Sequence, residues 1–157
     1  VPVEQPPLVL DAALRQPNQG AQPSRQEGDD MTISHINPAT LHRNPVFSQG
    51  TLAEGGRTLY VGEQNGTDAA GAIVEGGALA QAAQALRNVL TVLAEVGADA
   101  SNVVKLTIYF DRDTTLDEIF PASAEVWGTN PTAVTVLQVH ALGRAGAHVG
   151  IEAIAVV

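Results

Sequence analysis

The sequence predicts an α+β fold in which a β-sheet packs on two helices, and three observations carry that expectation. From Leu79 to Val96, the residues Leu79, Ala82, Leu86, Val89, Leu90, Leu93 and Val96 recur at three- and four-residue spacing. They draw one apolar stripe down a helix. Val103 to Phe110 is a β-branched and aromatic run with Leu106, Ile108 and Phe110 on one face and Lys105, Thr107 and Tyr109 on the other, the period of a strand. The elements read β, β, β, α, β, α, β, β along the chain, and two helices cannot cover both faces of such a sheet. One face is therefore expected to stay apolar and to drive association.

The elements can be justified in order. Residues 1–30 differ in kind, with Pro2, Pro6, Pro7, Pro17 and Pro23 and an almost wholly polar stretch from Gln16 to Asp30. Such a composition cannot bury enough apolar surface to offset its ordering entropy, so it reads as a flexible extension. Leu8 to Leu14 is its one stretch able to dock on another surface. The folded domain is expected over residues 31–157. Thr32 to Ile36 alternates as a strand, and Asn37-Pro38 and Asn44-Pro45 mark turns. Val46 to Leu52 and Thr58 to Gly62 read as a hairpin joined at Glu54-Gly55-Gly56. Gly97 supplies the stop of the first helix. Thr115 and Glu118 have capping-box spacing for a second helix, which Pro121 splits into a separate first turn or delays, and which ends by Gly128. Thr132 to Leu142 and Val149 to Val157 read as a closing strand pair connected through Gly143, Gly146 and Gly150.

Composition limits the function classes. A chain of 157 residues with 45% hydrophobic and 16% charged residues is one soluble globular domain. The net charge of −9, with one lysine and seven scattered arginines, argues against nucleic acid as a partner. There is no cysteine, which removes thiolate catalysis and Cys-ligated metal sites and fits a reducing cytoplasm. No apolar run approaches the ~20 residues of a membrane span, and no basic region leads an apolar core as in a secretory signal. His35, His42, His140 and His148 offer no convergent set with a third ligand, so no metal is expected; His140 and His148 could approach only across the closing strand pair. Trp127 reads as a core anchor. No Ser-His-Asp order, phosphate loop or dinucleotide fingerprint is present.

Several segments together carry a resemblance: Asn44 to Gly50, Leu59 to Gly66 with its Gly62-Glu63-Gln64-Asn65-Gly66 turn, Gln84 to Val89, Val103 to Tyr109, and Val149 to Val156. Over about residues 33–157 the chain resembles the Rid family, also called YjgF or endoribonuclease L-PSP-like. The resemblance implies a homotrimer whose sheets line a central barrel, with ligand clefts between subunits and no cofactor. Its deaminating members hold a substrate carboxylate with an arginine two residues after a proline, a position that falls on Ala133 here. Alanine has no donor, and the sequence offers no nearby lysine to replace it. A small polar residue of the family falls on Gly62, its usual glycine on Glu63, and an aromatic hydroxyl on Phe47. With the last strands paired through Glu152, the family's water-positioning glutamate falls on Gly150.

Glu63 is then the candidate catalytic group, a carboxylate at a strand end able to act as general base. A solvated charge, or an ion pair with Arg57 or Arg144, is the plainer reading of it. Phe47, Gly62, Gln64, Ala133, Thr135, Gly150 and Glu152 are the expected ligand contacts. Of these Gln64 is preferred over Asn65, and Thr135 shares its strand face with Ala133, Leu137 and Val139. The reading is a small-molecule-binding member, with imine or enamine hydrolysis as its chemistry rather than ordinary 2-imino acid deamination. The alternatives are a non-catalytic metabolite-binding or protein-interaction module and, third, an endoribonuclease.

Overall fold

A computed structural model describes residues 30–157, where six strands and two helices follow one another in the expected order. The readings of the N-terminal extension, including Leu8 to Leu14, lie outside the described residues. Strands β1 (Thr32–Ile36) and β2 (Gly50–Glu54) form an antiparallel ribbon. Strands β3 (Thr58–Asn65), β4 (Val103–Phe110), β5 (Ala133–Gln138) and β6 (Val149–Val156) form the main sheet in the order β3-β6-β4-β5. Pairing is antiparallel on both sides of β6 and parallel between β4 and β5.

Two expected pairings are corrected. β2 and β3 do not form a hairpin: Gly55 and Gly56, both at positive φ, carry the chain from the ribbon to the sheet, where β3 pairs with β6. Nor do β5 and β6 pair, because β6 inserts between β3 and β4. The reason lies in β6 itself, where Val149, Gly150, Ile151, Ala153, Ala155 and Val156 are all buried. A strand buried along most of its length belongs at the centre of a sheet, and the shorter, half-exposed β5 takes the edge. β5 also ends at Gln138 rather than continuing to Leu142.

Helix α1 (Gly77–Ala94) lies across β3 and β6 and buries Ala82, Leu86, Val89 and Leu93, while Leu79 and Val96 at its two ends stay exposed. Its end is the Gly97 stop: Ala98 N–H reaches Leu93 O at 3.0 Å and Gly97 N–H reaches Ala94 O at 3.0 Å, with Gly97 at φ 75°. Gly66 enters the loop before α1 with no room for a side chain, since a Cβ would collide with Gln81 of the helix.

The second helical segment is split, as Pro121 demands. α2 (Leu116–Ile119) is capped by Thr115, whose hydroxyl accepts the Glu118 N–H at 3.3 Å, and a π-helical turn follows over Ser123–Trp127. Trp127 is buried and the turn ends at Gly128.

The helix-free face of the sheet is not the apolar surface expected. It presents Lys105, Thr107, Tyr109, Thr135 and Glu152 among Tyr60, Leu137 and Ile154. Alternation puts the β4 polar set there, and burial of Leu106 and Phe110 on the helix side confirms the two faces. Among the described residues no helix is long and apolar enough to cross a membrane.

Candidate functional site

One extra residue in β3 aims Glu63. Val61 pairs with Ala153 but Gln64 pairs with Ile151, so three steps on β3 match two on β6 and the bulge falls on Gly62 and Glu63. Without it Glu63 would face the helices beside Ile151; with it the carboxylate swings onto the helix-free face. There it lies over Gly150. A Cβ on Gly150 would fall 2.8 Å from Glu63 Cδ and 2.9 Å from Cγ, so the bare glycine is what makes room. Asn65 Nδ2 donates to Glu63 Oε1 at 3.0 Å and to the Val149 carbonyl at 3.1 Å, tying the carboxylate to β6. Asn65 is itself seated by Asn88 of α1, whose Nδ2 donates to its carbonyl at 3.0 Å.

Beside this pair, Tyr109 is the register partner of Gly150, and its hydroxyl donates to Glu152 Oε1 at 3.0 Å. That hydrogen bond, then burial, then the charges of Glu152 and Glu63 raise the phenol above its ordinary value, so it stays a proton donor. Glu63 is exposed. Neither Arg57 nor Arg144 pairs with it; Arg144 instead donates to the Gly71 carbonyl.

The other expected contacts are distributed. Gln64 folds its amide back to the Gly62 carbonyl at 3.1 Å, and Asn65 is the residue that touches Glu63. Ala133 and Thr135 sit on edge strand β5, and Phe47 lines a cavity on the opposite, helix side of the sheet. Gly62, Glu63, Gly150 and Glu152 thus come together on β3 and β6, while Ala133 and Thr135 lie two strands from β6 on the same sheet face and Phe47 lies on the opposite one. The sequence reading that no lysine lies near Ala133 is corrected: Lys105 is its register partner, and its ammonium donates to the Thr135 hydroxyl. Lys105 with Tyr60, Gly62, Thr107, Glu152 and Ile154 lines an open hollow of about 370 Å³ on the helix-free face. Parallel pairing of β4 with β5, hidden from sequence, creates that proximity.

His148 was expected on a glycine-rich hairpin. The structure instead extends the β4–β6 ladder by one step, with Asp111 N–H on the His148 carbonyl at 3.0 Å, and pairs His148 Nδ1 with Asp111 Oδ2 at 2.8 Å. His140 does not approach it, because β5 and β6 are not neighbours. Among the described residues no three His, Cys, Asp or Glu side chains converge as metal ligands. Burial opposes ionisation of Asp111, and the Thr114 and His148 hydrogen bonds, the His148 charge and the Asp113 backbone outweigh it, holding the carboxyl below its usual value. A depressed carboxyl stabilises the fold above its unfolded pKa of about 3.9 and loses that contribution as pH falls through the folded value. Urea midpoints should therefore drop below about pH 4, and Asp111→Asn should flatten the drop; an identical slope in the variant would contradict the assignment.

The geometry can be set beside known proteins. The model of the family described as Endoribonuclease L-PSP matches residues 39–157. The chain is similar to the mouse 2-iminobutanoate/2-iminopropanoate deaminase, 41% identical over 114 residues, covering 70% of this chain and 80% of that protein. The human protein of the same name is 33% identical over 111 residues, covering 70% and 79%. A crystal structure of the Rid-family protein YyfB from Yersinia pestis, a protein of unknown function, superimposes with a TM-score of 0.71 at 32% identity, covering 80% of this chain and 98% of that one. A yeast Mmf1 structure, with a TM-score of 0.60 at 23% identity, shares the fold. By sequence and by architecture, the chain belongs to the endoribonuclease L-PSP family, the Rid or YjgF family.

Proposed function

We propose that the protein hydrolyses small imine or enamine intermediates without a cofactor, as a homotrimer with its sites in clefts between subunits, and with Glu63 as the base. The observation that carries this reading is the Glu63 carboxylate lying over Gly150, held by Asn65 and flanked by the Tyr109–Glu152 pair. Glu63 takes a proton from water as the water oxygen adds to the imine carbon, the C=N π electrons pass to the nitrogen, and Glu63 returns that proton to the nitrogen. Collapse of the carbinolamine then releases ammonia or an amine and leaves the carbonyl product. General-base assistance of this kind contributes about 10²- to 10⁴-fold. The names of the curated relatives support the reaction class.

An exposed Glu63 on a sheet face that no helix covers supports a site completed by a second subunit. Sedimentation should give the mass of a trimer, and a stable monomer at micromolar concentration would overturn the cleft.

Substrate charge follows from position 133. With alanine there, and with Lys105 already engaged by Thr135, the site lacks the two-pronged guanidinium contact that fixes a carboxylate. Neutral imines are its substrates rather than 2-imino acids. Ammonia or amine release from imines generated in situ tests this, with the neutral imine expected to be favoured by roughly tenfold or more over 2-iminopropanoate. Equal or faster turnover of 2-iminopropanoate would show that Lys105 or another group supplies the anion contact. No acceleration with any imine would remove the catalytic reading. RNA is not favoured as a substrate, because 17 acidic residues face 8 basic ones.

A further inference from the structure

The helix side of the sheet holds a cavity of about 470 Å³ that the proposed chemistry does not use. Leu106, Ile108, Val134 and Val136 make its floor on β4 and β5, Leu86 of α1 closes one side, and Ile119, Phe120 and Trp127 form the roof. Its volume is about three times that of an engineered ~150 Å³ apolar cavity that takes up benzene, and it falls in the ordinary range of ligand sites. Val46, Leu116, Phe120 and Val136 around it are 50%, 42%, 46% and 38% exposed, so apolar side chains reach solvent at its mouth.

We infer that this cavity is a second binding site, for a small neutral molecule with an apolar body and one hydroxyl or carbonyl head. Charge selects the class, because no ionisable side chain lines the cavity. The polar lining residues are Asn44, whose Oδ1 accepts the Val46 N–H at 2.9 Å, Ser123, Thr129 and Asn130, and the head is placed among them. Asn130 is committed to Trp127 through Nδ2 to its carbonyl at 2.8 Å and through its own carbonyl to the indole N–H at 3.1 Å. The Ser123 and Thr129 hydroxyls make no side-chain hydrogen bond to another described residue and remain available. Ser123 opens the π-helical turn, whose wider winding, closed by Gly128 N–H on the Ser123 carbonyl at 3.0 Å, sets this end of the roof. A volume of about 470 Å³ suits a small molecule, whereas a helix about 10 Å wide would fill it in little more than one turn.

Trp127 is the only tryptophan of the chain and lines the cavity, so its emission reports occupancy. The full-length protein is titrated with 1-hexanol, and with hexanoate and hexylammonium as charged counterparts of the same length. Hexanol should give a saturable change in Trp127 emission and raise the melting temperature, with both ions at least roughly tenfold weaker, since a charge has no partner in the lining. Ala124→Phe, at an exposed lining position, should abolish saturation. Ser123→Ala, which removes only the head contact, should weaken hexanol by about threefold to tenfold and should fold like the parent. A linear, non-saturating response, equal binding of hexanoate, or unchanged affinity in both variants would overturn the site. Failure here leaves the Glu63 reading intact, because that site lies on the other face of the sheet and is read by imine turnover.

Discussion

Replacing Glu63 by glutamine should lower imine turnover by about 10²-fold or more while leaving the oligomeric state and the melting temperature unchanged. General-base contributions are of that size, and an amide keeps the shape and the Asn65 contact without accepting a proton. Stability should move by no more than about 0.5 kcal/mol, since the side chain is exposed and carries no ion pair among the described residues. Initial rates of ammonia release at matched folded protein concentration measure the effect. Retained turnover in the variant would show that the carboxylate is only a solvated charge at the bulge.

The largest stability effect is expected at Gly66. Its missing side chain lets the β3–α1 connection lie against the helix, and a Cβ there would stand 2.6 Å from both the Cβ and the carbonyl oxygen of Gln81, and closer still to its Cα. These are backbone and near-backbone atoms inside a helix and cannot step aside. Gln81 is also a clamp: buried, it donates to the Gly146 carbonyl at 3.1 Å and accepts His148 N–H at 2.7 Å, so pushing it loosens the loop that feeds β6. Gly66→Ala should cost about 3 kcal/mol, the upper end of overpacking penalties, read as a lower urea midpoint at constant slope. Gly143→Ala is the control, because nothing lies within 4 Å of a Cβ there and a change within about 0.5 kcal/mol is expected. Equal midpoints for the two variants would mean that the loop packs differently.

Local pattern carried much of this molecule. The α1 stripe, its Gly97 stop, the two faces of β4 and the break at Pro121 were all legible, because helix period, strand period, glycine stops and proline geometry act within a few residues. What failed was pairing. Nothing local in Thr58 to Asn65 says that its partner lies ninety residues on, and adjacent strands suggested hairpins that the burial of β6 overrides. The site suffered for the same reason. Glu63 stands out in the sequence by its type and place, but its aim depends on a bulge visible only once β3 is registered against β6. Lys105 beside Ala133 and Asp111 beside His148 arise from neighbours across strands and were invisible in the chain. The apolar face was misjudged because the polar face of β4, Lys105, Thr107 and Tyr109, was not joined to Glu152 and Thr135, which only the pairing of β4 with β6 and β5 brings beside it.

The central claim is that the carboxylate over residue 150 is the base, whichever strand supplies it. Its most direct test is the imine-hydrolysis rate of the exchange variant Glu63→Gly with Gly150→Glu, which removes the group from β3 and grows it from β6 into the same space. Glu63→Gly alone should lose turnover as the glutamine variant does, and Gly150→Glu alone should crowd two carboxylates and impair the site. Combined, they should recover a rate within about tenfold of the parent, a non-additive rescue that only a shared position explains. A double variant that folds and assembles as the parent does, yet is as inactive as Glu63→Gly, would contradict the account.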